Sequence, residues 1–581
     1  MRFRMHSVAV LLGAVVVAAG STASAQVGVE IGAESSTRAI NSQGQIDYRF
    51  GILPSRNVIG SVFEQVGNHF EPVQTLLANH SRGVEVVIDH GTIGSMRFMA
   101  DPRILLPMFD GQAVELAFVL EQQLGDDTRA WFGQIAGLPK SDVILVEHEG
   151  VVAAEIRDYA NSRHYQIRLG PDGRQMLYEV SKQDAGAWCA GDHGAFGGVP
   201  HQHGVPSGTA NLRGTITDPI DEVDLMTIVT AEARAGYGLR EAFETESLLA
   251  VLDFNLRSTN SGAGVLLRLV RADWDFAAGY SEASTLGADL EAMQGAPNLP
   301  NLQGVLYDQL QLARETYRPD LVAMIRENGQ VTPDGTVLGR ARTPPALQFL
   351  NPFFYGFSVN VRNGSLPLVG DIFAHEVGHN FGGQHDLDTL LNQIPPKNPT
   401  AGELSELSDS PMGWRIFCED ACVIDDAYWH TTMAYGRDTL CGDDVLVPYF
   451  SNPFLSYDAT DPCGVYPLGA LPGFIPISPG PVSGADVAGL MQFTRSFLSD
   501  YETHATLSWA APGFGSRAGG GTNFMPFTWL TDAVNDVQGG HEVGIVRAIG
   551  GVYEETTNTG GPVVLNNGVV IEATDGVVVI N

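Results

Sequence analysis

The chain has 581 residues, too many for one compact core and enough for three or four domains at ~150 residues each. Hydrophobic residues make up 44%, which supports a large buried interior and excludes a wholly disordered chain. The formal charge of −34 (33 Lys and Arg against 67 Asp and Glu) repels phosphate, and no local basic patch offsets it, so a nucleic-acid partner is not expected.

Arg2 and Arg4 precede an apolar run from Val8 to Ala19, and Ala23-Ser24-Ala25 follows. This predicts a secretory signal peptide over 1–25, too short to span a bilayer. A secreted protein with no membrane span in its mature chain is therefore expected. Export permits disulfides. Cys418, Cys422, Cys441 and Cys463 lie close in sequence and can pair in three ways, while Cys189 stands apart upstream.

Residues 26–186 read as short strands separated by turns, among them Val143-Ile-Leu-Val146 and Tyr165-Gln-Ile-Arg168, so a β-rich domain is predicted. Residues 187–219 are rich in Gly, Pro and His without periodicity and read as a linker. His193, His201 and His203 within it are better explained by a polar linker than by a second metal site. From 220 to 505 strands alternate with helices: Asp224–Thr230, Gly264–Val270 and Asp320–Ile325 as strands, Glu241–Asn255, Leu302–Thr316 and Gly484–Leu498 as helices. That alternation predicts an α/β sheet with crossovers. A Gly-rich joint is expected over 506–522. The last unit, 523–581, reads as a short helix at Phe527–Val537 and then brief strands, a small β-rich unit of solenoid or sandwich type.

The chemistry concentrates in Asp371-Ile-Phe-Ala-His375-Glu376-Val-Gly-His379-Asn-Phe-Gly382-Gly-Gln-His385-Asp386. Residues four apart share one helical face, so His375 and His379 can meet one ion. Leu368, Ile372 and Val377 can bury the same helix. Glycine tolerates positive φ, so Gly382 can end the helix and return the chain to offer His385. Three imidazoles leave a fourth position of a Zn²⁺ ion open, as catalytic zinc requires. Zinc brings the pKa of its water to about 7, and Glu376 can take that proton and hand it to a leaving amine. The chain holds its own control: His541-Glu-Val-Gly-Ile545 begins alike but has Ile545 at the second ligand position, and it reads as an ordinary strand.

The pattern H-E-x-x-H-x-x-G-x-x-H, followed by the candidate methionine turn Thr431-Thr-Met433-Ala-Tyr435, resembles the metzincin zinc proteases. Within them the chain is most similar to the adamalysin/reprolysin group and its bacterial relatives. Asp386 directly after the third histidine, Phe450-Ser-Asn-Pro453, the Asp224–Thr230 strand and Tyr317-Arg-Pro-Asp-Leu-Val322 carry that likeness, which covers about 220–501. The resemblance implies a twisted mixed sheet carrying a zinc-site helix, and a zinc endopeptidase whose ligands are His375, His379 and His385. Glu376 would be its base and Met433 the apolar floor beneath the metal. Tyr435 stands where astacins and serralysins place a tyrosine that serves the metal or the transition state; packing within the turn is the alternative. Cysteines are fewer than in many reprolysins, and no disintegrin-like region follows.

Residues 26–186 resemble, more weakly, a reprolysin-type propeptide. Cys189 follows that unit, so its thiolate can block the open metal position and keep a precursor latent. The stretch Pro344–Val361 is a candidate edge strand for pairing with an extended substrate. Protein or peptide substrates are the expected partners. The acidity permits calcium, but no EF-hand motif supports it. A surface-binding protein with a subordinate metzincin domain, and a zinc hydrolase for another amide such as a cell-wall peptide, are the competing readings.

Overall fold

A computed structural model describes residues 58–65, 80–180, 221–294, 304–343, 355–362, 371–385 and 487–499. It also describes short stretches within 413–416, 429–434 and 445–451, and strands at 506–510, 544–553 and 569–580, apart from isolated positions inside these ranges. The expected leader at 1–25, the expected linker at 187–219, all five cysteines, Asp386, Tyr435 and the predicted helix Phe527–Val537 lie outside the described residues.

The N-terminal domain is a ten-stranded sheet. In chain order its strands are β1 (Val58–Ser61), β2 (Phe63–Gln65), β3 (His80–Ile88), β4 (Arg103–Pro107), β5 (Ala113–Gly125), β6 (Thr128–Ile135), β7 (Ser141–His148), β8 (Val151–Asp158), β9 (Arg163–Leu169) and β10 (Gln175–Val180). From β4 to β10 each strand pairs antiparallel with the next, and β10 returns to pair with β3. A short helix, α1 (His90–Met96), is capped by Asp89, whose carboxylate accepts from Thr92 N.

The sheet is buried on both faces, and the alternation of side chains shows how. Val143, Leu145, Trp131, Val152 and Ala154 point into the domain's own core with Ile93 and Met96 of α1. Ile144, Val146, Phe132, Val151 and Ala153 point the other way, into a core shared with the second domain. Period-2 geometry sends successive residues to opposite faces, so a strand buried on both sides must be apolar throughout. This is why Val143-Ile-Leu-Val146 is a continuous run.

The second domain has the predicted crossover architecture. Its sheet runs β12 (Val265–Asp273), β11 (Asp221–Val229), β13 (Leu321–Arg326), β17 (Phe357–Val361), β16 (Gly339–Ala341). The first four strands are parallel, and β16 pairs antiparallel with β17 at the edge. Between β13 and β16 lies a small hairpin of β14 (Gln330–Thr332) and β15 (Gly335–Val337). The sheet's edges are thus β12 and, on the side of β17, Gly339–Ala341. The predicted Pro344–Val361 edge is corrected: its described strand, β17, is interior because hydrogen bonds hold it on both sides.

The helices are α2 (Ala231–Tyr237), α3 (Arg240–Ser261), α4 (Leu286–Met293), α5 (Tyr307–Tyr317), α6 (Asp371–Asn380) and α7 (Val487–Ser499). α3 exceeds the predicted Glu241–Asn255 because Arg257, Ser258, Asn260 and Ser261 are buried polar residues with partners, which apolar spacing does not reveal. Gly262, at φ 65°, ends it in the left-handed conformation. Eighteen of its 22 residues are buried, so α3 is a core helix with no solvent face to speak of.

A small separate sheet consists of β18 (Arg415–Ile416), β19 (Trp429–His430) and β20 (Val445–Leu446). At the C-terminus β21 (Thr506–Ala510), β22 (Gly544–Tyr553) and β23 (Val569–Ile580) pair in parallel. β21 falls where the sequence suggested the start of the joint. β23 joins Val569-Val-Ile571 and Val577-Val-Val-Ile580, predicted as two strands, into one with register shifts. Among the described residues, no helix is long and apolar enough to cross a membrane.

Candidate metal centre

α6 presents the motif. Ile372, Phe373, Ala374 and Val377 are buried and fix the helix in the core, while Leu368 lies outside the described residues. Asn380 ties its end to the sheet, donating from Nδ2 to the carbonyls of Tyr355 (2.7 Å) and Phe357 (3.0 Å). The helix then stops as predicted. Gly382 has φ 92°, and Gly383 N donates to Gly378 O at 3.0 Å. An L side chain at φ 92° is strained, so glycine is required there for the chain to turn back.

That turn brings His385 to His375 and His379. The three Nε2 atoms stand 3.1 Å (His375–His379), 3.0 Å (His379–His385) and 3.1 Å (His375–His385) apart, all buried. Two of the tautomers follow from the other ring nitrogen. His375 Nδ1 donates to the Thr432 carbonyl at 2.8 Å and His379 Nδ1 to the Gly383 carbonyl at 2.7 Å. A carbonyl only accepts, so each of these Nδ1 atoms carries the proton and each Nε2 presents a lone pair. Lone pairs converging at ~3 Å repel one another unless a cation sits among them, and the spacing suits one ion held at about 2.0–2.1 Å from each nitrogen. The donor set therefore fits a zinc ion.

Two further parts of the motif are in place. Glu376 is fully buried, and its carboxylate lies against β16. A Cβ on Gly339 would clash with Glu376 Oε1. Met433 is buried in a turn closed by Ala434 N donating to Thr431 O at 2.9 Å. Its sulfur packs under α6, where a Cβ on Gly378 would meet Met433 Sδ at 2.5 Å. Gly378 thus lets the methionine approach the helix bearing the ligands.

The site is braced from behind by a chain of buried charges. Arg257 on α3 donates from Nη2 to Asp371 Oδ1 (2.8 Å), at the start of α6, and from Nη1 to Thr432 Oγ1 (3.0 Å). Its Nε reaches Asp253 Oδ2 at 2.9 Å, and Arg157 of β8 donates to Asp253 Oδ1 at 2.7 Å. Burial pushes the Asp253 carboxyl up, but Arg157 and Arg257 together outweigh it and hold the group below its usual range. Burial dominates at Asp142, the other acid on Arg157, and raises it. Gly339, Arg257, Asp253 and Arg157 were not predicted. Asp253 and Arg257 are an i,i+4 pair, but the partners that tie them to the site and to β8 lie far off in sequence, as does Glu376 from Gly339.

A second group among the described residues, His148, Glu149 and Glu244, also brings potential ligand atoms together. Glu244 is already engaged there, accepting from Arg240 Nε at 2.7 Å and contacting His148 Nε2 at 3.4 Å. This group joins the two domains.

A parallel sheet with an antiparallel edge strand, a helix bearing two histidines, a glycine turn to the third and a methionine below define a metzincin. Residues 246–386 match the Metallo-peptidase family M12B Reprolysin-like, so within that class the chain carries a reprolysin-like metallopeptidase domain. No curated protein matches the chain in sequence. Among solved structures, one titled as a chaperone-substrate complex has 16% identity and a TM-score of 0.30, over 49% of this chain and 39% of that one. The chain thus spans about two fifths of that structure's length. Metalloproteinase-II from Bacteroides fragilis has 10% identity and a TM-score of 0.25, over 52% of this chain and 90% of its own.

Proposed function

We propose that the protein is an exported, zinc-dependent endopeptidase made as a latent precursor. The observation that carries this reading is the convergence of three buried Nε2 atoms, with the tautomers of His375 and His379 set by the carbonyls of Thr432 and Gly383. His375, His379 and His385 would hold the ion, which when bound supplies a Lewis acid and a water acidified toward neutral pH.

The chain's own residues do the rest. Glu376 accepts the water's proton on a carboxylate oxygen and returns it to the departing amine nitrogen. Its burial among protein groups keeps bulk water from competing for that proton. β16, at the edge of the sheet beside Glu376, offers backbone groups to an extended peptide. Met433 gives the site an apolar floor. Asp386 and Tyr435 keep the supporting roles that the family resemblance implies. The intact donor set and base favour catalysis over an adhesive role, while the parallel strands β21 to β23 suit a solenoid-like coil at the C-terminus.

The deciding experiment is cleavage of casein by the processed protein. Activity should disappear with a strong chelator and return on adding Zn²⁺; cleavage indifferent to chelator would end the proposal. Gly339→Ala should lower turnover by ~10²-fold, because displacing a catalytic group by about 1 Å costs that much. Metal content should not change, and full turnover in this variant would show that Glu376 does not depend on β16. Latency is assigned to Cys189. A Cys189→Ala precursor should cleave casein before any processing, and a fully latent variant would remove the thiolate from the scheme.

A further inference from the structure

The N-terminal domain does not lie on the second domain as a cover lies on a vessel. Its outward strand faces share one continuous core with α3: Ile144, Val146 and Phe132 from the sheet, with Leu248, Leu252 and Phe254 in the same cluster. Three acids of α3 are matched across this boundary by cations or a histidine from three successive strands. Glu246 takes both Arg168 Nε (2.8 Å) and Nη2 (2.9 Å) from β9. Asp253 takes Arg157 from β8, and Glu244 faces His148 at the end of β7. Both members of every pair are buried. A fork-to-carboxylate pair fixes orientation as well as proximity, so the register of the sheet on α3 is specified.

We propose that the N-terminal β domain is a permanent partner of the catalytic domain, so that cutting the connecting segment leaves the two halves joined. Three observations support this together. α3 is buried all round, and a helix of that kind belongs inside a domain. The sheet is apolar on the face it gives to α3, which a separable, water-soluble domain would not keep. And Arg157 contributes to the charge chain that ends at Asp371 and Thr432, so the brace behind the metal site is itself made from both halves. Activation of a latent precursor then releases the segment around Cys189 while the β domain stays. The inference rests on the interface alone and is decided by mass and unfolding, whatever the chain's activity.

The test uses the full chain with a sequence-specific protease site inserted between residues 190 and 210. After complete cutting, both fragments should elute together in gel filtration at 1 M NaCl, since salt screens exposed pairs far more than buried ones. In urea the cut protein should lose its structure in one transition, and Arg157→Met should move that transition as a whole. Fragments that elute apart, each retaining its far-UV dichroism, would overturn the proposal. So would two transitions of which Arg157→Met shifts only one.

Discussion

Glu376→Gln should reduce peptide-bond turnover by ~10²–10⁴-fold, the usual contribution of a positioned general base. Glutamine keeps the shape that fits against Gly339 but cannot take a proton. His375 and His379 are oriented by the carbonyls of Thr432 and Gly383, not by Glu376, so the variant should still bind one equivalent of zinc. Turnover on casein and metal content by elemental analysis are read on the same preparation. Undiminished turnover would assign the proton transfer to another group. A variant that lost its metal would show instead that the carboxylate helps to hold the ion.

Arg257→Met should destabilise the protein by about 3–5 kcal/mol, because it strands carboxylates that were paired away from water. Asp253 loses one of its two cations, and Asp371 and Thr432 lose their donor. Methionine fills much of the same volume, so the cost is electrostatic rather than that of a cavity. Urea unfolding measures it, and a change under 1 kcal/mol would mean that water or rearranged partners satisfy those groups. The acid limit should move as well. Asp253 titrates below its unfolded value in the folded chain, so its stabilisation is complete above the ordinary carboxylate range and is lost as pH falls through the lowered value. Removing Arg257 raises that value, and acid unfolding of the variant should begin at a higher pH. Asp142, raised by burial, has the opposite sign: its share is greatest in acid and is lost as pH rises through its raised value. The substitution leaves its partner Arg157 in place.

The convergence of the three histidines was legible because its information is local. Ligands four apart on one helix, and a third after a glycine turn, are specified within eleven residues, and Gly382 adopts the positive φ that its position demanded. Met433 was legible only through the family resemblance, and the structure gives the physical reason for it, a sulfur packed where Gly378 has no side chain. The alternation of strands and helices in the second domain was equally readable, since each element carries its own apolar pattern. What was hidden is non-local. Nothing around Gly339 says that Glu376 will lie against it, and Arg157 and Asp253 meet across 96 residues. One clue was present: Val143-Ile-Leu-Val146 is apolar without interruption, which marks a strand buried on both sides.

The burial of α3 bears on how the molecule is made. During synthesis, domains generally fold as units with the N-terminal one first. The strands of the β sheet leave the ribosome before residues 240–261, so the helix emerges where the residues that complete its core are already present. A gene fragment beginning at residue 220 would lack those residues. Its helix α3 would carry exposed apolar residues, Glu246 without Arg168 and Asp253 with only one of its two cations, and inclusion bodies are the outcome to expect. Producing the two halves from separate messages in one cell should restore soluble protein, with the first half acting as an assembly scaffold for the second.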